Sequence, residues 1–155
     1  MKEIHVLLVE DNEADMELMR DMLATSQFDI KLSVAKDGIE AIEFLYGAGN
    51  WSEPGKPTLI LLDLNLPRKD GRQVLAVLKN HDELRRIPVV VLSSSGSEKD
   101  ITNCYHLGAN CYIVKPIELQ AYRAIVRTLE DFWLGAASLP SREGHSNATS
   151  IAYEN

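Results

Sequence analysis

The sequence has little cysteine, no long apolar run and fewer basic side chains than acidic ones. Cys104 and Cys111 are the only cysteines in 155 residues, which makes a reducing cytoplasm the expected compartment. No apolar run approaches the roughly 20 residues needed to cross a bilayer, so an integral membrane protein is not expected. No cationic start followed by an apolar targeting segment precedes the first strand either. Lys and Arg number 16 against 23 Asp and Glu, for a net charge of -7. That balance opposes binding to nucleic acid or to an anionic membrane surface, because phosphate recognition needs clustered cations. There is no internal repeat. What is present, 45% hydrophobic and 25% charged residues, suits a single soluble globular domain with a sizeable core.

The chain is organised around Leu59-Ile60-Leu61-Leu62, an unbroken apolar run introduced by Pro57 and stopped by Asp63. A run of this length reads as a strand buried on both faces, as in a parallel sheet. Ile4 to Val9 is a second short apolar run, interrupted by His5 and ending in Glu10-Asp11. Ala14, Leu18 and Met22, flanked by Met19 and Leu23, then recur at helical spacing behind an acidic first turn. Ile30 to Ala35 alternates weakly, as an edge strand does, and Asp37-Gly38 opens a second helix. Residues 47–57 form a long Gly, Asn, Ser and Pro-rich loop in which Trp51 suggests partial packing. Residues 71–80 form a third helix, and Val89-Val90-Val91-Leu92 a fourth strand running into Ser93. Ser97 starts a fourth helix that ends at Leu107-Gly108, where glycine suits a left-handed cap. Cys111 to Val114 is a fifth strand before Lys115-Pro116, and a last helix is predicted from about Glu118 to Leu134. Five strands alternating with five helices give an α/β fold, a doubly wound five-stranded parallel sheet. The expected strand order is the flavodoxin-like 2-1-3-4-5, with helices on both faces. The folded domain is expected over 1–135, with a polar tail over 136–155.

In such a sheet the carboxyl ends of the strands surround the ligand crevice. Glu10-Asp11, Asp63, Ser93 and Lys115 are thereby gathered at one edge. Three carboxylates without His or Cys make an all-oxygen site suited to a hard cation such as Mg²⁺. A carboxylate beside that cation can attack phosphorus, with Lys115 and Ser93 placed to meet the oxygens of a transferring phosphoryl group. Each residue alone has a blander explanation: Asp63 as a loop cap, Glu10-Asp11 as a helix start, Ser93 as a turn former, Lys115 as a surface lysine. Their coincidence at four strand ends is what carries the reading. His5, His81, His106 and His145 are scattered and pair with none of these groups in the pattern. Arg68-Lys69 and Arg85-Arg86 read as solvated loop charge.

The stretches Val9-Glu10-Asp11-Asn12, Leu62-Asp63-Leu64-Asn65-Leu66-Pro67, Leu92-Ser93 and Tyr112-Ile113-Val114-Lys115-Pro116 resemble the receiver domain of two-component response regulators over residues 3 to 134. The resemblance implies a phospho-accepting signalling protein rather than an enzyme acting on other molecules, its chemistry limited to self-phosphotransfer and autodephosphorylation. It makes Asp63 the phosphoacceptor. Asp11 becomes a direct Mg²⁺ ligand, Glu10 a ligand through water and the Asn65 carbonyl another. Ser93 and Tyr112 become the switch residues, Lys115 the phosphoryl-binding lysine, and Pro116 the residue after a cis bond. Glu-Asp in place of Asp-Asp, and Ser in place of Thr at the switch, depart from the commoner pattern and preserve the chemistry. The loop 47–57, the run Asp63 to Gly71 and the ending Leu129-Glu130-Asp131-Phe132-Trp133-Leu134 resemble more narrowly the single-domain regulators paired with cyanobacterial phytochrome histidine kinases. That implies a phytochrome-type histidine kinase as partner and output through protein contacts.

Three alternatives use related parts. A haloacid-dehalogenase-like phosphatase needs a second Asp two residues after the first as general acid, where this chain has Asn65. A flavodoxin-type or nucleotide-binding protein needs a phosphate loop after the first strand, where Glu10-Asp11 would repel phosphate. A receiver-like static interaction module would not require the full set Asp11, Asp63, Ser93 and Lys115. In the last helix, apolar residues from Leu119 to Trp133 cover an arc of roughly 140°, wider than the usual ~100° core stripe. The resemblance implies a homodimer through the fourth helix, fifth strand and last helix, and this wide arc supports self-association, the alternative being that the terminal aromatics fold back over the sheet.

Overall fold

The computed structural model describes residues 3–140. Its strands are β1 (Ile4–Val9), β2 (Ile30–Ala35), β3 (Leu59–Leu62), β4 (Val89–Ser93) and β5 (Cys111–Val114). Its helices are α1 (Glu13–Ala24), α2 (Gly38–Tyr46), α3 (Gly71–Lys79), α4 (Glu98–His106) and α5 (Leu119–Leu129). The strands form one parallel sheet in the order β2-β1-β3-β4-β5, as the alternation of elements requires. Every residue of β3 and β4 is buried, whereas the edge strands β2 and β5 are only partly covered. This explains why β3 and β4 read as apolar runs whereas β2 only alternates.

The two-residue period of the strands divides the core into two layers. Leu7, Val9, Ile60, Leu62, Val89 and Val91 face α2, α3 and α4, whose Ala41, Leu45, Val74, Leu75, Leu78 and Cys104 complete that layer. Val6, Leu8, Leu59, Leu61, Val90 and Leu92 face the other way, onto Met16, Met19 and Met22 of α1 and Tyr122, Val126 and Leu129 of α5. Four of the five α-helices begin at side-chain caps: Asn12 for α1, Asp37 for α2, Asp70 with Gln73 in a reciprocal capping box for α3, and Ser97 for α4. Gly108, with φ of 106°, follows α4 in the left-handed region.

Three details differ from the sequence reading. The last helix is α-helical only to Leu129, and Glu130–Ala136 continues as a π-helical turn, closed by the Ala137 N–H on the Phe132 carbonyl at 2.7 Å. Trp133 and Leu134 fold back against the α1/α5 layer, while Phe132 stays exposed. A short 3-10 turn, Leu84–Arg86, precedes β4 and buries Leu84. As Trp51 suggested, the loop 47–57 packs down, the Trp51 ring meeting that of Phe44 edge-on at 4.9 Å. Among the described residues no peptide bond is cis, so the expectation at Pro116 is corrected: the Lys115–Pro116 bond is trans. Trans is intrinsically preferred by about 0.5–1 kcal/mol at X–Pro bonds. Residues 141–155 of the expected tail, with His145, lie outside the described residues. No described helix is long and apolar enough to cross a membrane.

Candidate functional site

Backbone ladders at the carboxyl edge of the sheet set the site. The Glu10 N–H donates to the Ala35 carbonyl at 3.0 Å, the Asp63 N–H to Val9 at 3.0 Å and the Lys115 N–H to Ser93 at 2.7 Å. The ends of β1, β3, β4 and β5 are thereby pinned side by side. Glu10, Asp11 and Asp63 each offer a carboxylate oxygen within 4.8 Å of the others. Three hard oxygen donors at that spacing fit a small divalent cation. Glu10 and Asp63 are buried and Asp11 is open to solvent, so the cluster has a buried wall and an accessible rim.

One cation of the chain already reaches this cluster. Lys115 Nζ donates to Glu10 Oε1, to Asp15 Oδ2 at 2.9 Å and to Asp63 Oδ2 at 3.3 Å. The other Glu10 oxygen accepts from the backbone N–H groups of Asp11 and Asn12, at 3.1 and 3.3 Å. Burial pushes the Glu10 carboxyl up to about 7, with its hydrogen bond to Asp63 adding to the effect and Lys115 opposing it. Burial works against the Lys115 ammonium, but Glu10, Asp15 and Asp63 outweigh it and hold its pKa above the ordinary lysine value. Glu10, Asp11, Asp15 and Asp63 thus crowd negative charge that one lysine only partly offsets, an arrangement that favours recruitment of a dication.

The loop after β3 is fixed chiefly by contacts outside the acidic cluster. The Asn65 N–H donates to Asp63 Oδ1 at 3.4 Å, near the limit of a hydrogen bond. Arg68 adopts a left-handed φ of 63° and grips Asp37, the cap of α2, through two hydrogen bonds of 2.9 and 3.0 Å. Although burial works the other way, that guanidinium holds the Asp37 carboxyl below its usual range. Beside it Gly38 passes so close to the loop that a Cβ would lie 1.9 Å from the Lys69 carbonyl oxygen. The loop carrying Asn65 is therefore seated on the start of α2.

Ser93 is fully buried, and its Oγ accepts from the Ser95 N–H at 3.2 Å. Tyr112 is packed against the α2–α4 layer, and its hydroxyl donates to the Ser95 carbonyl at 2.7 Å rather than to Ser93. Ser95 Oγ in turn donates to Asp100 at 2.6 Å, and Asp100 accepts from Arg72 at 2.7 Å. The sequence reading did not single out Asp15, Arg72 or Asp100. Asp15 lies in the first turn of α1, directly after the strand end that carries Glu10 and Asp11. The described histidines stay away from the cluster; His5, for example, is hydrogen-bonded to Ser33 at 2.8 Å.

A parallel sheet with an acidic cluster and a lysine converging at its carboxyl edge defines a class. The chain belongs to the response regulator receiver domain family, whose profile matches residues 6–127. Among curated relatives, it is 46% identical over 136 residues to response regulator Rcp1 of Synechocystis sp., covering 88% of this chain and 92% of that protein. The crystal structure of Mn²⁺-bound Rcp1 superposes with a TM-score of 0.86 at 45% identity, covering 89% of this chain and 99% of that one. The phosphorylated cyanobacterial phytochrome response regulator RcpA does so with a TM-score of 0.87 at 47% identity, covering 90% and 100%. The protein is thus a receiver-domain response regulator related to phytochrome response regulators.

Proposed function

We propose that Asp63 accepts a phosphoryl group from the phosphohistidine of a phytochrome-type histidine kinase, and that the protein passes the signal on through protein contacts. The observation that carries this reading is the meeting of the Asp63 carboxylate with Lys115 Nζ beside the Glu10–Asp11 pair. An Asp63 oxygen attacks phosphorus, the P–N bond to the kinase imidazole breaks, and an acyl phosphate forms. Glu10, Asp11, Asp63 and the Asn65 carbonyl are the groups assigned to hold Mg²⁺. That cation, when bound, neutralises the charge of the transferring phosphoryl oxygens. Lys115 supplies the remaining positive charge. Ser93, buried at the neighbouring strand end, is assigned as the hydroxyl that turns toward the acquired phosphoryl group. Tyr112 follows when its hydroxyl leaves the Ser95 carbonyl. Support comes from the Mn²⁺ held by one relative and the phosphorylated state of the other. The protein's own chemistry is limited to taking up the phosphoryl group and releasing it to water.

The receiver unit is assigned to 1–135 and its setting to the cytoplasm, with neither nucleic acid nor membrane as partner. A symmetric dimer through α4, β5 and α5 belongs to the same reading. Tyr105, Val114, Ile117 and Leu119, from those three elements and the turn before α5, are exposed apolar side chains and support that face. Intact-mass spectrometry with a small phosphodonor and with a phosphorylated phytochrome-type kinase tests the assignment. Wild type gains one hydroxylamine-labile phosphate in the presence of Mg²⁺, and Asp63→Asn gains none. Equal labelling of the two would overturn it.

A further inference from the structure

Asp15 is the one carboxylate at the site that belongs to the lysine alone. It stands outside the trio Glu10, Asp11 and Asp63 whose oxygens converge for a cation. Its Oδ2 nevertheless lies 2.9 Å from Lys115 Nζ, closer than the 3.3 Å between that nitrogen and Asp63. An ammonium has three N–H donors, and here they are shared among Glu10, Asp15 and Asp63. Lys115 holds Glu10 Oε1 and Asp63 Oδ2, so a cation drawn to either of those oxygens competes with it. The Lys115 side chain is only 10% exposed, and a charge so nearly buried cannot be left without a partner except at a large cost. Asp15 is 30% exposed, and its backbone N–H is tied to Asn12 Oδ1 at 2.9 Å in the first turn of α1. It can keep the ammonium while the other two carboxylates change partners.

From this geometry we propose that Asp15 is a positioning residue for phosphotransfer: it draws the Lys115 ammonium off Glu10 and Asp63 so that a divalent cation can occupy them. The inference rests on the cation site of the proposed function and adds a residue that acts through Lys115. Without the Asp15 charge, Lys115 has only Glu10 and Asp63 as anionic partners, and a cation must compete harder for both. Among the described residues the ion-pair partners of Lys115 are these three carboxylates, so the competition is confined to them.

Calorimetric titration of the full chain with Mg²⁺, in the absence of any phosphodonor, reads the effect directly. Asp15→Asn is close in shape to the native residue and lies at a half-exposed position. It should weaken Mg²⁺ binding by roughly three- to tenfold, the order expected for a charge lost beside a site of intermediate dielectric. Asp15→Glu, which keeps the charge, should restore most of the affinity. In a Lys115→Gln background the Asp15→Asn loss should shrink to less than about twofold, because the residue through which Asp15 acts is gone. Unchanged affinity in Asp15→Asn would overturn the inference. So would an equal loss with and without Lys115, which would make Asp15 a plain field charge. Failure of wild type to be phosphorylated on Asp63 would instead overturn the proposed function and leave this cation measurement standing.

Discussion

At Gly71 a hydrogen is all that fits. A Cβ there would lie 2.3 Å from the Asp63 carbonyl oxygen and 2.7 Å from Leu64 Cα, so any side chain pushes the loop that follows the phosphoacceptor. Gly71→Ala should lower stability by about 1–3 kcal/mol, as overpacking commonly does, and should slow phosphorylation. The midpoint of urea unfolding and the labelling rate check the two parts. Ser93→Ala makes a different prediction. It removes the acceptor of the Ser95 N–H, a loss of about 1 kcal/mol, yet leaves the Asp63 carboxylate in place. Phosphorylation should persist while partner binding responds less to it, because the contact that distinguishes the two states is missing. Affinity measured with and without acyl phosphate would reveal a response that is undiminished. Residues such as Asp63 and Lys115 were legible because each ends an apolar run and has no structural duty inside it. Asp15 was hidden behind a sufficient local explanation, an acid in the first turn of a helix. The isomer at Pro116 was not legible at all, since cis and trans differ by too little for the local sequence to decide.

Between elements, the chain Arg72–Asp100–Ser95–Tyr112 ties α3 to α4 and to β5 across the β4–α4 loop. The Ser95 and Arg72 hydrogen bonds hold the Asp100 carboxyl down to about 2. A carboxyl with a depressed folded-state pKa adds stability above its unfolded value near 4 and loses it as pH falls toward the folded value. The tie should therefore be intact at neutral pH and fade between about pH 4 and pH 2. In Arg72→Ala the Asp100 titration, followed by carboxyl carbon NMR, should move up toward the ordinary aspartate range; an unmoved titration would leave the pairing without consequence. None of this tie could be read from the chain, because its members lie far apart and each is an ordinary helix or turn residue. Four strands were legible from their apolar runs, β2 from its weak alternation, and two helix starts from Asp37 and Ser97. The change from α to π hydrogen bonding at Glu130 was not, because Phe132, Trp133 and Leu134 continue the helical apolar spacing and the sequence places no Pro or Gly before Gly135.

For the whole molecule, the wide apolar arc of the last helix resolves into two parts. Trp133 returns to the core together with Leu134, whereas Phe132 beside them, Leu119 at the start of the arc and the preceding Ile117 stand in solvent. Dimerisation through this face should be sensitive to the beginning of α5, where Ile117 and Leu119 are both open. Sedimentation at tens of micromolar should show wild type as a dimer and Ile117→Glu with Leu119→Glu as a monomer. A wild type that stays monomeric with and without a phosphoryl mimic and Mg²⁺ would remove the dimer from the proposal.

The division of the core into two layers has an optical consequence. The chain contains two tryptophans; Trp51 packs on the α2–α4 side of the sheet and Trp133 on the α1/α5 side. Replacing either one by phenylalanine leaves a single indole whose emission reports one side of the sheet. Coincident unfolding curves from the two single-tryptophan proteins would mark a domain that melts as one unit. A gap between them would mean that the two faces let go of the sheet separately.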